Sequence, residues 1–246
     1  MGEGVAMDLW VGTSGYSYKE WKGSFYPDDM PDKDMLTTYA RQLPAVEINN
    51  TFYRLPTPSL LESWAEQVPE NFRFVLKASR RITHIKRLKE CEEETEYLFK
   101  TAKTLGDRLG AILFQLPPFL RKDAPRLGDF LRLIPEHSKA AFEFRHESWF
   151  EKDVYDALEE KECALCFADT EDNKMEALVS TASWGYLRMR KPDYGEKELR
   201  DWVKKVKKQR WNQAFVFFKH EDGGVGPELA HRFLELARPE RLSGRR

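Results

Sequence analysis

Short apolar, β-rich runs recur along the chain: "LWVGT" (9–13), "AVEIN" (45–49), "RFVLKA" (73–78), "GAILFQL" (110–116), "AAFEF" (140–144), "ALCFAD" (164–169), "GYLRM" (185–189) and "AFVFFK" (214–219). Between them apolar positions follow helical spacing. "DKDMLTTYARQL" (32–43) opens on acids, and "TPSLLESWAEQV" (57–68) offers Thr57 or Ser59 as N-cap beside Pro58. "EEETEYLFKTAKTLGDRLG" (92–110) runs from acidic to basic, in keeping with the helix dipole, with Gly106 available as a C-terminal cap. "APRLGDFLRLI", "DVYDALEEK", "KELRDWVKKVKKQ" and "GPELAHRFLELA" complete the alternation.

Strand and helix alternating in this way predict an α/β fold, a (β/α)8 TIM-like barrel forming one domain over residues 1–246. The sixth helix is expected to be short or missing, because Asp169 to Trp184 leaves room only for a segment such as "NKMEALV". An open doubly wound sheet is the competing arrangement, but no G-x-G-x-x-G follows the first run.

In a parallel barrel one strand face packs on the helices and the other fills the interior, so alternate residues part company. Val46 and Ile48 oppose Glu47 and Asn49, while Phe74 and Leu76 oppose Val75 and Lys77. Gln115 shares a face with Leu113, Glu143 with Arg145, and Tyr186 with Arg188 and Arg190. The sixth run ends on Asp169, and Lys219 lies opposite Phe218. Charges inside such strands are costly unless they meet partners at an open end, and barrel enzymes carry their sites at the C-terminal end of the strands. Glu47, Lys77, Gln115, Glu143, Arg145, Asp169, Arg188 and Lys219 are therefore expected to line one cup. The alternative is a buried ion-pair network that only specifies the barrel.

The connecting segments add candidates. "SGYSYKEWKGSFYP" after the first run is long and aromatic, suited to a lid, a stacking wall or a plug. "SRRITHIKRLKE" gathers a local basic patch. His146 and Trp149 follow the fifth run and are placed on the rim. Gly223, Gly224 and Gly226 precede Pro227, a pattern that can expose backbone N–H groups to an anion, with Arg188 and Arg190 beside it.

Composition narrows the classes. A formal net charge of −1 argues against a general electrostatic nucleic-acid binder, so an anion site must come from local clustering. No run approaches a membrane span and "MGEGVAMDLW" has no signal-peptide pattern, so the expectation is a cytoplasmic protein with no membrane partner. Cys91, Cys163 and Cys166 give no disulfide framework, and "CALC" reads as two small buried residues in a strand.

"VGTSGYSYKEWKGSFYP", "VEINNTFYRLP", "FRFVLKASRRITHIKRL", "LGAILFQLPP" and "FEFRHESW" together resemble, in order, the signature blocks of the domain-of-unknown-function-72 family. "FADTED", "YLRMRKPDY" and "FVFFKHED" resemble its weaker C-terminal blocks, so the likeness runs from about Leu9 to Leu236. It implies a (β/α)8 barrel with the signature residues around one mouth. The family's barrel has been compared with sugar isomerases and with metal-dependent repair nucleases. Two departures stand out. Arg190 occupies the place of a His-Gly pair, and Asp169-Thr170-Glu171 stands where Asp-Ser-Pro is common.

The first functional reading is an enzyme acting on a small anionic substrate, a phosphate- or carboxylate-bearing compound or a sugar derivative. Glu47, Glu143 and Asp169 are its acid/base candidates; Arg145, Arg188, Arg190 and Lys219 clamp the anion, with Asn49, Lys77, Gln115, His146, Trp149 and Gly224 completing the site. His84, His146 and His220 are candidate proton shuttles. The second reading is a metal-dependent nuclease or nucleic-acid binder, with Glu47, Glu143, Asp169 and His220 as ligands. With 5 histidines, none within a predicted strand, it is the less favoured. A barrel that binds without turnover is the third. No organic cofactor motif is present, and no dedicated metal site is assigned.

Overall fold

The structure, a computed structural model, describes residues 7–170, 175, 177–220 and 223–238. The described residues form parallel strands β1 (Asp8–Ser14), β2 (Ala45–Ile48), β3 (Arg73–Lys77), β4 (Leu109–Gln115), β5 (Ala140–Glu143), β6 (Ala164–Asp169), β7 (Trp184–Met189) and β8 (Gln213–Phe218). Each pairs with its sequence neighbour, and β8 pairs back onto β1 to close the barrel. Helices α1 (Met35–Ala40), α2 (Asn50–Tyr53), α3 (Pro58–Glu66), α4 (Glu92–Ala102), α5 (Ala124–Leu131), α6 (Lys152–Glu160), α7 (Glu196–Lys207) and α8 (Val225–Ala237) occupy the connections. None of them is long and apolar enough to cross a membrane.

Local chemistry explains the helix starts. Thr57 caps α3 by accepting from the Leu60 N–H at 3.3 Å, and Asp123 caps α5 by accepting from the Arg126 N–H at 3.1 Å. Each has proline in its first turn, where a missing N–H costs nothing. The acidic start of α4 favours that end of the dipole, but α4 stops at Ala102. A tighter 3-10 segment with Gly106 at φ 55° then leads into β4, so the α-helix proper ends four residues before the expected cap at Gly106. Between β6 and β7, residues 175 and 177–183 carry no helix; the rest of the expected segment lies outside the described residues.

Two apolar layers result. The larger lies between strands and helices, with Phe114, Phe130 and Phe142 packed ring on ring. The smaller fills the barrel with Val75, Leu113, Cys166, Trp184, Tyr186, Phe215 and Phe217, below the polar strand ends. Gly12 is required where β1 approaches β2: a Cβ there would lie 1.8 Å from the Ala45 carbonyl oxygen. The interior is thus packed at the bottom and polar at the top, and the site lies at the top.

Candidate active site at the barrel mouth

Strand alternation delivers Glu47 from β2, Glu143 from β5 and Arg188 from β7 to the interior, all nearly devoid of solvent contact. Arg188 joins the two acids. Its Nη2 donates to Glu47 Oε1 at 2.8 Å and its Nη1 to Glu143 Oε2 at 2.6 Å. Glu47 also accepts from the Ser14 hydroxyl at 2.6 Å and the Tyr186 hydroxyl at 2.7 Å. Glu143 accepts from Gln115 Nε2 at 2.8 Å and Arg145 Nε at 3.0 Å, with Arg190 Nη1 at 3.7 Å from Oε1.

Burial alone would raise both carboxyl pKa values, but the surroundings overrule it. The Arg188 charge and hydrogen bonds from Ser14, Tyr186 and Arg188 hold Glu47 below the usual carboxylate value. Arg188, Arg145, Arg190 and Gln115 together hold Glu143 far below it. The surroundings thus favour the ionised form of both. They anchor the arginines.

Above this anchor lies a cavity of about 480 Å³, lined by Asn49, Lys77, Gln115, Arg145, Arg188, Arg190 and Lys219. Seven of the residues expected in the site therefore do meet around one space. Tyr18, Phe52, Tyr53 and His84 line it as well. The sequence offers Tyr18 as an aromatic of the first loop, and His84 as a proton-shuttle candidate within the basic segment. Phe52 and Tyr53 sit on α2, a single turn too short to leave a periodic signal, and Ser14 and Tyr186 were readable by parity alone.

Lys77 ends β3, and Thr51 Oγ1 pins its backbone by donating to the Lys77 carbonyl at 2.7 Å. Its ammonium lies 4.4 Å from the Phe52 ring centre. Burial, and then the charge of Arg188, bring the Lys77 pKa down to about 8 against the opposing pull of Glu47 and Glu143. His84 packs edge-on to Phe52 with ring centres 4.9 Å apart, its Nδ1 2.9 Å from Thr83 Oγ1. Burial and the charges of Lys77, Arg145 and Arg80 push its pKa below the ordinary imidazole value.

Four expected site residues lie elsewhere. Asp169 shares the outward face of β6 with Phe167, because Cys166 and Ala168 take the inward positions; its Oδ1 lies 3.4 Å from Lys191 Nζ, outside the barrel. Trp149 is buried in the helix-side layer, stacked on Phe144 at 4.6 Å and donating from Nε1 to the Leu120 carbonyl at 2.7 Å. His146 caps the short turn Glu147–Trp149, its Nδ1 accepting from the Ser148 N–H at 3.2 Å. Gly224, at φ 80°, starts α8 against the first loop, where a Cβ would lie 2.4 Å from Ser24 Oγ. It does not line the cavity, and residues 221–222 of that loop lie outside the described residues.

The connecting segments are similarly committed. Trp21 and Tyr26 of the first loop are buried with Phe25 in an aromatic cluster, which makes that loop chiefly a plug that lends Tyr18 to the cavity. Arg81 and Lys86 of the basic segment both bond Glu94. The four residues considered as metal ligands are not gathered: Asp169 faces outward, and the His220 Nε2–H donates to the Lys191 carbonyl at 2.6 Å. Among the described residues no group of three or more His, Cys, Asp or Glu side chains could hold a metal ion.

The model of the family described as "Protein of unknown function DUF72" matches residues 10–245. The chain belongs to the DUF72 family. The UPF0759 protein YunF of Bacillus subtilis is 26% identical over 278 residues, covering 93% of this chain and 94% of YunF. The UPF0759 protein YecE of Escherichia coli K12 is 36% identical over 119 residues, 48% of this chain and 43% of YecE. Among solved structures, a DUF72 family protein of Thermotoga maritima superposes with a TM-score of 0.76 at 23% identity, covering 93% of this chain and 98% of that one. One from Enterococcus faecalis gives 0.75 at 21% identity, with 94% and 98% covered. At those identities the superpositions speak for the DUF72 barrel fold alone.

Proposed function

We propose that this DUF72 protein is an enzyme acting on a small anionic substrate, phosphate- or carboxylate-bearing, at the mouth of the barrel. The observation that carries this reading is the charge balance around the cavity. Glu47 and Glu143 are fully engaged by hydrogen bonds beneath it, while Arg145, Arg188, Arg190, Lys77 and Lys219 surround it. Among the described residues, the four cations Arg145, Arg188, Arg190 and Lys77 stand against those two carboxylates, a local excess of about two positive charges in a chain whose total is −1. Guanidinium groups are suited to planar, two-point recognition of carboxylate or phosphate. Phe52, Tyr53 and Tyr18 provide a face for the uncharged part of the ligand, sugar rings included.

In this reading Glu47 and Glu143 fix the arginines, and proton transfer falls to Lys77 and His84. Calorimetric titration and thermal unfolding with inorganic phosphate, citrate and sugar phosphates test it. Ligand at about a hundred times Kd adds roughly 2.7 kcal/mol of stability, and the effect weakens with added salt. Arg145→Ala is expected to weaken binding without unfolding the barrel. Indifference of the wild-type protein to every anion tested removes the proposal.

A further inference from the structure

We propose that Lys77 is a nucleophilic amine that forms an imine with the carbonyl group of a 2-oxo acid. The inference rests on the anion-acting reading and names its substrate class. Lys77 Nζ sits inside the cavity at the C-terminal end of a barrel strand, with its backbone held by Thr51 and its side chain resting on Phe52. No carboxylate lies within ion-pair reach of Nζ among the described residues; the two nearby acids are taken by Arg188, Arg145, Ser14, Tyr186 and Gln115. Burial, and after it the charges of Arg188 and Arg145, disfavour ammonium at Lys77, and those guanidinium groups can also bind the carboxylate of the incoming acid. The lowered pKa makes more of Lys77 neutral near pH 7.5 than of an ordinary lysine.

The step balances without any redox partner. The nitrogen lone pair forms a C–N bond to the carbonyl carbon as the C=O π pair moves onto oxygen. Both amine protons pass to that oxygen, which leaves as water, and the C=N bond remains. One further proton on nitrogen gives the iminium, which withdraws electrons from the adjacent carbon and permits proton removal or carbon–carbon cleavage there. His84, lining the same cavity and shifted towards its neutral form, is placed to carry these protons.

Reduction in place tests this. The full chain is incubated with pyruvate, glyoxylate or 2-oxoglutarate and treated with borohydride, then analysed by intact mass and peptide mapping. The expected result is one adduct, at Lys77, with the mass of the oxo acid less one oxygen atom, at least ~tenfold above labelling of surface lysines. Trapping should rise through a midpoint near pH 8. The Lys77→Met protein should lose the adduct while keeping the wild-type circular dichroism spectrum; mapping of the wild type stands on its own should that variant not fold. Labelling spread evenly over lysines, or none at Lys77, overturns the proposal. If phosphate still binds in calorimetry, only the imine is refuted; if phosphate binding is absent too, the anion reading falls with it.

Discussion

Removing the Arg188 guanidinium should reverse the way this barrel responds to acid. Arg188→Met leaves a side chain of comparable length but strands two interior carboxylates that are at most 1% exposed. Removing one partner from a buried ion pair costs about 3–5 kcal/mol. At roughly 2.1 cal/mol/K per residue, the unfolding entropy of 246 residues turns 4 kcal/mol into a fall in Tm of about 8 °C. Glu143 keeps Arg145 and Gln115, so the greater part of the loss belongs to Glu47, left with the hydroxyls of Ser14 and Tyr186.

The sign of the pH dependence follows. In the wild type both carboxyl pKa values are depressed, so their stabilisation is present above the unfolded value near 4.5 and fades as pH falls through the folded values. In the variant burial dominates at Glu47 and raises its pKa, so acid neutralises the stranded charge and stabilises the fold. Urea unfolding followed by circular dichroism between pH 5 and 8 should show the gap to wild type narrowing towards pH 5. Adding Glu47→Gln to Arg188→Met should restore about 2 kcal/mol at pH 7.5, whereas alone it should destabilise. A loss below about 1 kcal/mol, unchanged across that range, would refute the reasoning, since that is the behaviour of a solvated surface pair.

Lys77→Met should instead stabilise the protein. The folded pKa of about 8 against 10.5 means that charged Lys77 opposes folding below pH 8, a cost relieved as pH rises through 8 to 10.5. The variant should gain roughly 2–3 kcal/mol in urea unfolding at pH 7 and nothing at pH 10.5, and equal stability at both would contradict the shift. Trp149→Phe, which leaves the Leu120 carbonyl without its donor, should cost about 1–2 kcal/mol while leaving phosphate affinity unchanged. A calorimetric change in affinity would return Trp149 to the site.

The barrel was legible because every strand announced itself by an apolar run and the longer helices by their spacing, whereas the single turn α2 left no such signal. The cup was legible where parity was applied along a whole strand: Glu47, Lys77, Gln115, Glu143, Arg188 and Lys219 all point inward as alternation requires. Asp169 was misplaced because the end of its strand was read without its parity; Leu165, Phe167 and Asp169 share one face, and Phe167 packs on Trp202 outside. Trp149 and His146 follow a strand end, where alternation no longer applies. The roles of the two glutamates were unreadable for another reason. Whether a carboxylate accepts a substrate proton or is saturated by its neighbours depends, Arg145 apart, on donors 28 to 141 residues away, which only the closed barrel brings together.

That long-range convergence bears on how the chain reaches its native state during synthesis. Glu47 and Glu143 emerge from the ribosome well before Arg188, whose partners lie 141 and 45 residues upstream. A partial barrel lacking β7 would have to bury Glu47 without its guanidinium partner, while Glu143 would keep only Arg145 and Gln115, so compact half-barrels are disfavoured against the solvated nascent chain. The last strands to appear carry the group that makes closure favourable. The same contact that readies the mouth for a ligand therefore guards against premature collapse.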